Sequence, residues 1–447
     1  MERSVYFETL GCAKNRVDTE IMMGTLAANR FRFSSDPNEA EVIVVNTCGF
    51  LTSAVRESID RILQLSACKR EGACKKIVVA GCLSERYRGS LLEEIPEIDG
   101  LIGTSDYTAI ATCIDDLFEK RGRTNLLEER PAYSDNNAFA DRVPTTKPHL
   151  SYLKIAEGCS NMCSFCNIPK LRGPFKSRSA ESILRELRRL IAGGVKEVSL
   201  ISQDSSSYGR DLKEGEDLPR LLERILSDSD ADFWLRIFYS YPNLYPLEIL
   251  DLMKSDARLV PYIDMPFQHI ADSVLKSMNR KIGESEIRRL VETILSRFDS
   301  VALRTTFIVG FPHETEEEFG RLLKFVESGY FSHVGVFCYS AEDNAASWKY
   351  GDPIPDKEKE ARRRQLLEAQ QSVSFGKNRS QVGQIQKVLV EGRSKETDLL
   401  LKGRNRYQGI DVDGTVLINE GRANEGEFHR VEITEAHPYD LVGKIVS

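Results

Sequence analysis

The chain lacks any apolar run near the roughly 20 residues a helix needs to cross a bilayer, so a helical membrane anchor is not expected. Its start, MERSVYFETLGC, lacks the charged-then-apolar pattern of an export signal. Ten cysteines in 447 residues are too sparse for a disulfide scaffold. They are expected as metal ligands or free thiols in a reducing cytoplasm. An excess of positive charge is also missing. A net charge of -7 argues against a generic nucleic-acid binder, whose footprint is basic, and leaves room only for a local basic groove. No low-complexity tract interrupts the sequence. What remains is 41% hydrophobic and 29% charged, as expected of a well-cored chain of two to four domains.

Residues 1–130 alternate short apolar strands (VYFETL, VIVVNT, KIVVAG and a weaker IDGLIG) with amphipathic stretches. That alternation predicts a parallel α/β sheet with crossover helices. Residues 131–149 contain three prolines and no apolar period, and read as a linker. Over 150–378 six strand–helix repeats predict a partial eightfold barrel, a (β/α)6 unit of TIM type, with chemistry at the carboxyl ends of its strands. A Thr315-x-x-Glu318 capping box opens its last repeat helix. The charged stretch DKEKEARRRQLLEAQQSVSF closes this unit and reads as a solvated helix face. Residues 379–447 switch to short strands and turns, predicting a small antiparallel β-barrel of oligonucleotide-binding type.

Three cysteines, Cys159, Cys163 and Cys166, stand in EGCSNMCSFC with Phe165 before the last. A cubic iron–sulfur cluster takes four thiolates, so three leave one iron open, and an open metal position is where a metal site reacts. The alternative is structural zinc, which pairs C-x2-C motifs and closes four ligands. No fourth Cys or His is near, and His149 falls on the far side of a strand.

A second trio follows from topology. Cys12 ends VYFETLGC, Cys48 ends VIVVNTC and Cys82 ends KIVVAGC. Carboxyl ends of parallel strands converge on one crevice, so three thiols distant in sequence are expected at one place. The alternative is three buried core cysteines. Cys68 and Cys74 flank ACKREGACKK and read as exposed thiols. Cys113 and Cys338 read as core.

The motif and the domain order resemble the radical-SAM methylthiotransferase family, with an N-terminal cluster domain, a radical-SAM barrel and a C-terminal TRAM domain. The resemblance covers nearly the whole chain. It implies two 4Fe–4S clusters held by Cys12, Cys48 and Cys82 and by Cys159, Cys163 and Cys166, with these six as the catalytic set. It also implies S-adenosylmethionine (SAM), both as methyl donor and, after one-electron cleavage, as source of a 5′-deoxyadenosyl radical. Gln203, Gln268, Ile308, Gly310 and Glu314 are the implied SAM contacts. A flavodoxin or ferredoxin donor is implied by the low potential such a cluster needs.

Several strings resemble the branch that modifies a ribosomal protein: GCAKNRVDTE at 11–20, ISQDSSSYG at 201–209, PFQH at 266–269 and TFIVGFP at 306–312. That branch acts on the β-carbon of an aspartate in ribosomal protein uS12, so uS12 or the small ribosomal subunit is the implied partner. The tRNA-adenosine branch tends to GCQMN at the first string and is the alternative reading. A non-catalytic zinc or RNA-binding scaffold is the rival from outside the enzyme class. From Ser380 to Ser447 there are 11 Asp/Glu against 9 Lys/Arg, which suits a basic protein partner better than RNA, although Arg404 and Arg406 are candidates to grip RNA. His313 departs from the family's usual GFPGET and reads as a surface change. Ser179 stands where proline is common.

Overall fold

The computed structural model describes residues 3–119, 122–212, 215–397 and 399–446. Its first sheet is parallel throughout: β1 (Ser4–Thr9), β2 (Arg32–Phe33), β3 (Val42–Thr47), β4 (Lys76–Gly81), β5 (Gly100–Ile102) and β6 (Thr124–Leu126), ordered β2-β1-β3-β4-β5-β6. Every residue of β3 is buried, as a parallel strand covered on both faces requires. The strand order reverses between β1 and β3, and such a switch point opens a crevice at the carboxyl ends. Helix α1 (Ala13–Ala28) leaves β1 and helix α2 (Thr52–Ser66) follows β3. Cys68 and Cys74, expected exposed, are buried in the apolar layer with Ile62, Leu65 and Ile77. Between them Arg70 is exposed and Lys69 pairs with Asp99 at 2.5 Å, while the two thiols turn in.

The expected linker is ordered. A short helix, Asp135–Phe139, is followed by Arg142, which bonds Glu20 on α1, Glu186 at 2.7 Å and the carbonyl of Tyr152 at 2.6 Å. Asn137 receives the amide of Tyr107 at 2.9 Å and donates to the carbonyl of Ser105 at 2.6 Å. Polar side chains without any apolar period fix this segment by satisfying backbone groups of the sheet it crosses.

The second sheet carries β7 (Leu150–Lys154), a side pair β8 (Ala156–Glu157) and β9 (Lys176–Ser177), then β10 (Glu197–Ile201), β11 (Trp234–Ile237), β12 (Leu259–Asp264), β13 (Ala302–Val309) and β14 (His333–Cys338). Its six main strands are parallel, ordered β14-β13-β12-β11-β10-β7, an open six-strand barrel. The Thr315–Glu318 capping box forms, and Ser179 accepts the Ser182 amide as the N-cap of the helix Ala180–Ala192. Leu153, Leu200, Leu235, Ile263, Leu303 and Phe307 pack the sheet against its outer helices.

Helix Asp356–Arg379 leads to β15 (Ile385–Arg393), β16 (Leu401–Asn405), β17 (Val416–Glu420), β18 (Phe428–Ala436) and β19 (Leu441–Ile445), closed in the order β15-β16-β17-β19-β18. One pair, β17 with β19, is parallel and the rest are antiparallel. Arg404, a candidate for RNA, is 1% exposed. It is held by Glu197 of the large barrel at 2.6 Å and Glu391 at 2.6 Å. Arg406 donates to the carbonyl of Ala257 at 3.1 Å. Both arginines join the two barrels, and the buried guanidinium of Arg404 needs the carboxylate and carbonyl acceptors it finds there. One apolar cluster runs through all three modules, from Val5 and Val17 through Tyr152, Phe238 and Tyr262 to Leu389 and Ile410. No helix among the described residues is long and apolar enough to cross a membrane.

Candidate cofactor site

Cys159, Cys163 and Cys166 lie on the loop that leaves β8 at the carboxyl edge of the large barrel. Short-range bonds shape it: the amide of Cys166 donates to the carbonyl of Cys163 at 3.1 Å, and that of Cys159 to Gly173 at 3.2 Å. Longer bonds pin it across the barrel, from the Ser164 amide to Met278 at 2.9 Å and from Asn279 to the carbonyl of Met162 at 2.7 Å. Two N–H groups point at sulfur. Arg280 Nη1 lies 3.5 Å from Cys163 Sγ, and the amide of Ile168 lies 3.5 Å from Cys166 Sγ. Burial pushes the thiols of Cys159 and Cys166 up, to about 11 and about 12.

A cavity of about 160 Å³ opens on these three cysteines. Gln203, Gln268, Tyr239, Tyr241 and Arg280 wall it from the barrel, and Phe50 walls it from the first domain. Gln203 gives its amide N–H to Glu157, while its buried Oε1 has no hydrogen-bond partner. Gln268 holds φ +74°, fixed by a 2.8 Å bond to Thr306 and a 2.8 Å bond from the amide of Ile308. Ile308 packs with Phe165, Phe311 and Tyr339. Ile308, Gly310 and Glu314, expected at SAM, do not line this cavity. Glu314 is fully buried between Arg362 at 2.8 Å, His269 at 3.1 Å and the amide of Gly310. Gly310 turns at φ +73° against the stem of Lys359, where a Cβ would sit 2.3 Å from Cγ. The pair fastens the end of β13 to the helix Asp356–Arg379, because a buried carboxylate goes to the cations and N–H groups around it. His313 is exposed at φ +73° with its ring edge-on to Tyr350.

The strand ends of the first sheet bring the other trio together. Thr47 pairs with Gly81, so Cys48 and Cys82 are the next residues on adjacent strands, whose backbones run about 4.8 Å apart. Gly11 turns at φ +95°, and a Cβ there would come 3.0 Å from Cys48 Cβ, so glycine lets Cys12 approach. A Cβ on Gly49 would sit 2.6 Å from the carbonyl of Cys82. Burial raises the Cys48 thiol and raises that of Cys82 to about 11, which the charge of Arg172 partly offsets. A larger cavity of about 660 Å³ meets Cys12, bounded by Arg16 and Thr19 of α1, by Tyr152 and Tyr239 of the large barrel, and by residues 410–412 of the terminal barrel. Tyr239 therefore walls both cavities.

Among the described residues no three Cys, His, Asp or Glu side chains close on a single-ion position. Zinc with about 2.3 Å bonds to sulfur in a tetrahedron holds its thiolates about 3.8 Å apart. A cubic cluster spreads its thiolates wider than a single ion does.

Residues outside the sequence expectations join the two trios. Arg172, at the end of the helix Ile168–Arg172 that follows Cys166, reaches Glu157 at 2.8 Å, Asp18 at 3.0 Å and Asn15 at 2.5 Å. Lys154 bonds Asp18 and, at 2.6 Å, Glu157. Burial alone would raise the Glu157 carboxyl, but Arg172 and Lys154 overcome it and hold it at about 2. Lys14 places its ammonium 3.2 Å from the ring centroid of Tyr239. Burial draws the Lys14 ammonium down, and Cys12 opposes that pull. A lysine inside the buried strand SYLKIAEG was the one visible signal. Nothing local marked Arg172 or Tyr239.

Comparison with known proteins defines the class first. The radical SAM superfamily matches residues 153–326, the TRAM domain matches 382–446, and an uncharacterized family, UPF0004, matches 4–103. The fold is shared with the radical S-adenosylmethionine methyltransferase TsrM of Kitasatospora setae, at TM-score 0.57 and 14% identity over 76% of this chain and 75% of that one. The radical enzyme OxsB follows at TM-score 0.51 and 12% identity, over 82% of this chain and 56% of that one.

Whole-chain relatives narrow it. The ribosomal protein uS12 methylthiotransferase RimO of Geobacter sulfurreducens is 44% identical over 449 residues, covering 100% of this chain and 99% of that protein. That of Syntrophotalea carbinolica is 43% identical over 448 residues, covering 100% and 97%. The chain belongs to the RimO family of radical-SAM methylthiotransferases.

Proposed function

We propose that this chain replaces a C–H bond by C–S–CH3 at the β-carbon of an aspartate in ribosomal protein uS12, acting in the cytoplasm on uS12 or the small ribosomal subunit. The observation that carries the reading is the shared wall: the cavity on Cys159, Cys163 and Cys166 and the cavity on Cys12, the outermost of the second trio, are both walled by Tyr239. A reaction that joins sulfur to a radical carbon needs both centres within reach of one atom.

Cys159, Cys163 and Cys166 would hold one 4Fe–4S cluster, and Cys12, Cys48 and Cys82 the other. When bound, the clusters and SAM supply the electron, the hydrogen-abstracting radical, the methyl group and the site for sulfur. The residues do the rest. Gln203 offers a buried, unpartnered carbonyl oxygen to a ligand N–H such as the SAM ammonium. Gln268 faces the same space, with Phe165 on its apolar side. Arg280 adds positive charge at Cys163, where hydrogen bonds to sulfur tune a cluster's potential. Phe50 and Tyr239 keep water from the path between the cavities. An electron-transfer protein of flavodoxin or ferredoxin type is the proposed donor. Supporting it, Met162 (62% exposed) and Trp348 (53% exposed) flank Cys163 and Cys166 with Lys170 and Lys349.

Burial of Arg404 and the net acidity of the terminal barrel argue against the tRNA reading. Mass spectrometry of uS12 and of tRNA from a deletion strain decides it. Loss of a methylthio group from uS12 alone is expected, and loss from tRNA alone would overturn the reading. Iron and sulfide analysis after anaerobic purification tests the clusters, and a colourless zinc protein would refute them.

A further inference from the structure

Lys14 makes no polar side-chain contact within the described fold. It is 8% exposed. Among the described residues its ammonium makes no hydrogen bond and no ion pair. Its one close partner is the face of Tyr239, 3.2 Å from the ring centroid. Its buried neighbours behave otherwise. Lys154 bonds Asp18 and Glu157, and Arg172 bonds Glu157, Asp18 and Asn15. A buried cation without an anion is costly, and a fold persists with one where a ligand completes it.

The position of Lys14 defines that ligand. It stands two residues after Cys12, on the ring that walls both cavities. Tyr239 is held in place despite φ +63°, an uncommon setting for an aromatic residue. Its amide donates to Asp264 at 3.0 Å, and its carbonyl accepts from Ser205 at 2.8 Å. Arg16, on the wall of the Cys12 cavity, likewise has no carboxylate partner among the described residues, and Asp411 is the one acid on that wall. Arg16 and Asp411 are the two charged residues of that lining, and Lys14 stands behind it, against the ring of Tyr239. A carboxylate is an acceptor of opposite charge, and no neutral side chain neutralises an ammonium.

We propose that Lys14 recognises the carboxylate of the target side chain, holding the acidic residue between the two cysteine trios. Lys14 thereby sets the specificity for an acid over its amide. This rests on uS12 being the substrate, and Arg16 helps draw the acidic side chain toward the site.

The test is a ratio measured within each preparation of full-length, anaerobically reconstituted enzyme, so that any inactive fraction cancels. Equilibrium binding is compared for uS12 with its target aspartate and for uS12 with asparagine there. The wild-type chain is expected to favour the aspartate form by at least about 10-fold, the scale of a charged hydrogen bond. Lys14→Met keeps the length of the side chain and removes the charge, and should bring the ratio to about 1. Lys14→Arg restores a cation and should recover part of the preference. A Lys14→Met enzyme with the wild-type ratio would overturn the assignment, as would a wild-type chain that binds both forms equally. If the wild-type chain leaves uS12 unmodified, the substrate reading fails and this inference with it. Modification with unaltered discrimination in Lys14→Met removes the Lys14 role alone.

Discussion

The two cysteine trios reach similar ends by opposite routes. Cys159, Cys163 and Cys166 share one loop, and a turn bond from Cys166 to Cys163 at 3.1 Å sets much of their spacing. Cys12, Cys48 and Cys82 have no local relation. Their approach depends on the register of β1, β3 and β4 and on glycines beside them. The first trio is a property of a short peptide and the second of a folded sheet. Arg172 links them, since it sits on the helix that follows Cys166 and reaches the neighbourhood of Cys82. The local loop thus helps hold the assembled trio.

Removing one thiol from each trio gives the largest effects and separates their roles. Cys163→Ala should stop formation of 5′-deoxyadenosine altogether. Cys48→Ala should abolish methylthio transfer while SAM cleavage continues uncoupled. Each variant should carry about four irons fewer than the wild type. If Cys48→Ala still yields full product, the sheet-borne trio is not the sulfur site.

Arg172→Met attacks the link. It leaves Asp18 and Glu157 buried with only Lys154 between them. Breaking such a network costs about 3–5 kcal/mol, readable by urea denaturation. Iron held by the sheet-borne trio should fall first, because Cys82 loses its neighbouring charge while the 159–166 loop keeps its own bonds. Equal loss from both trios would break the distinction drawn here.

Acid probes the same network without a mutation. The Glu157 carboxyl is held at about 2 against an ordinary 4.5. A depressed folded value gives stability that is complete above pH 4.5 and lost as pH falls to about 2. The contribution is about 3 kcal/mol at neutral pH, at 1.36 kcal/mol per unit. Unfolding followed against pH should steepen in that window, and Glu157→Gln should flatten it. An unchanged slope in the variant would place the acid sensitivity elsewhere, with Glu197 at the terminal barrel the next candidate, since it too is held at about 2.

The same contrast decides what was legible in the sequence. The contiguous motif was visible by spacing. The scattered trio was visible only after strands were placed, because parallel strands put their ends together whatever their separation in the chain. The three modules and the closed terminal barrel followed from periodicity. Other features did not. Cys68 and Cys74 turn inward although the basic run between them points to an exposed loop. The 131–149 segment read as loose because hydrogen bonding to neighbours leaves no apolar period. The sequence also carries no sign that Glu314 is paired with Arg362 and His269. Lys14, Tyr239 and Arg172 become informative only in three dimensions, where a charge is seen to have or to lack a partner.

Backbone strain gives the smallest effects and the finest version of the comparison. The sheet-borne trio relies on Gly11 at φ +95°, where Gly11→Ala forces a strained backbone and a Cβ 3.0 Å from that of Cys48. That should cost about 2 kcal/mol and lower iron in that trio alone. The loop trio carries its strain on a side-chain-bearing residue, Met162 at φ +53°, 62% exposed. Met162→Gly relieves strain of about 1 kcal/mol, but the added freedom of the unfolded chain takes back about 0.5–1 kcal/mol. The net change in unfolding free energy should be close to zero, with iron in the loop trio unchanged, because its turn bonds are made by the backbone of Cys163 and Cys166. A fall in stability or in iron as large as that of Gly11→Ala would mean that the loop, like the sheet, depends on one backbone setting, and the two trios would then differ only in how far apart their cysteines lie in the chain.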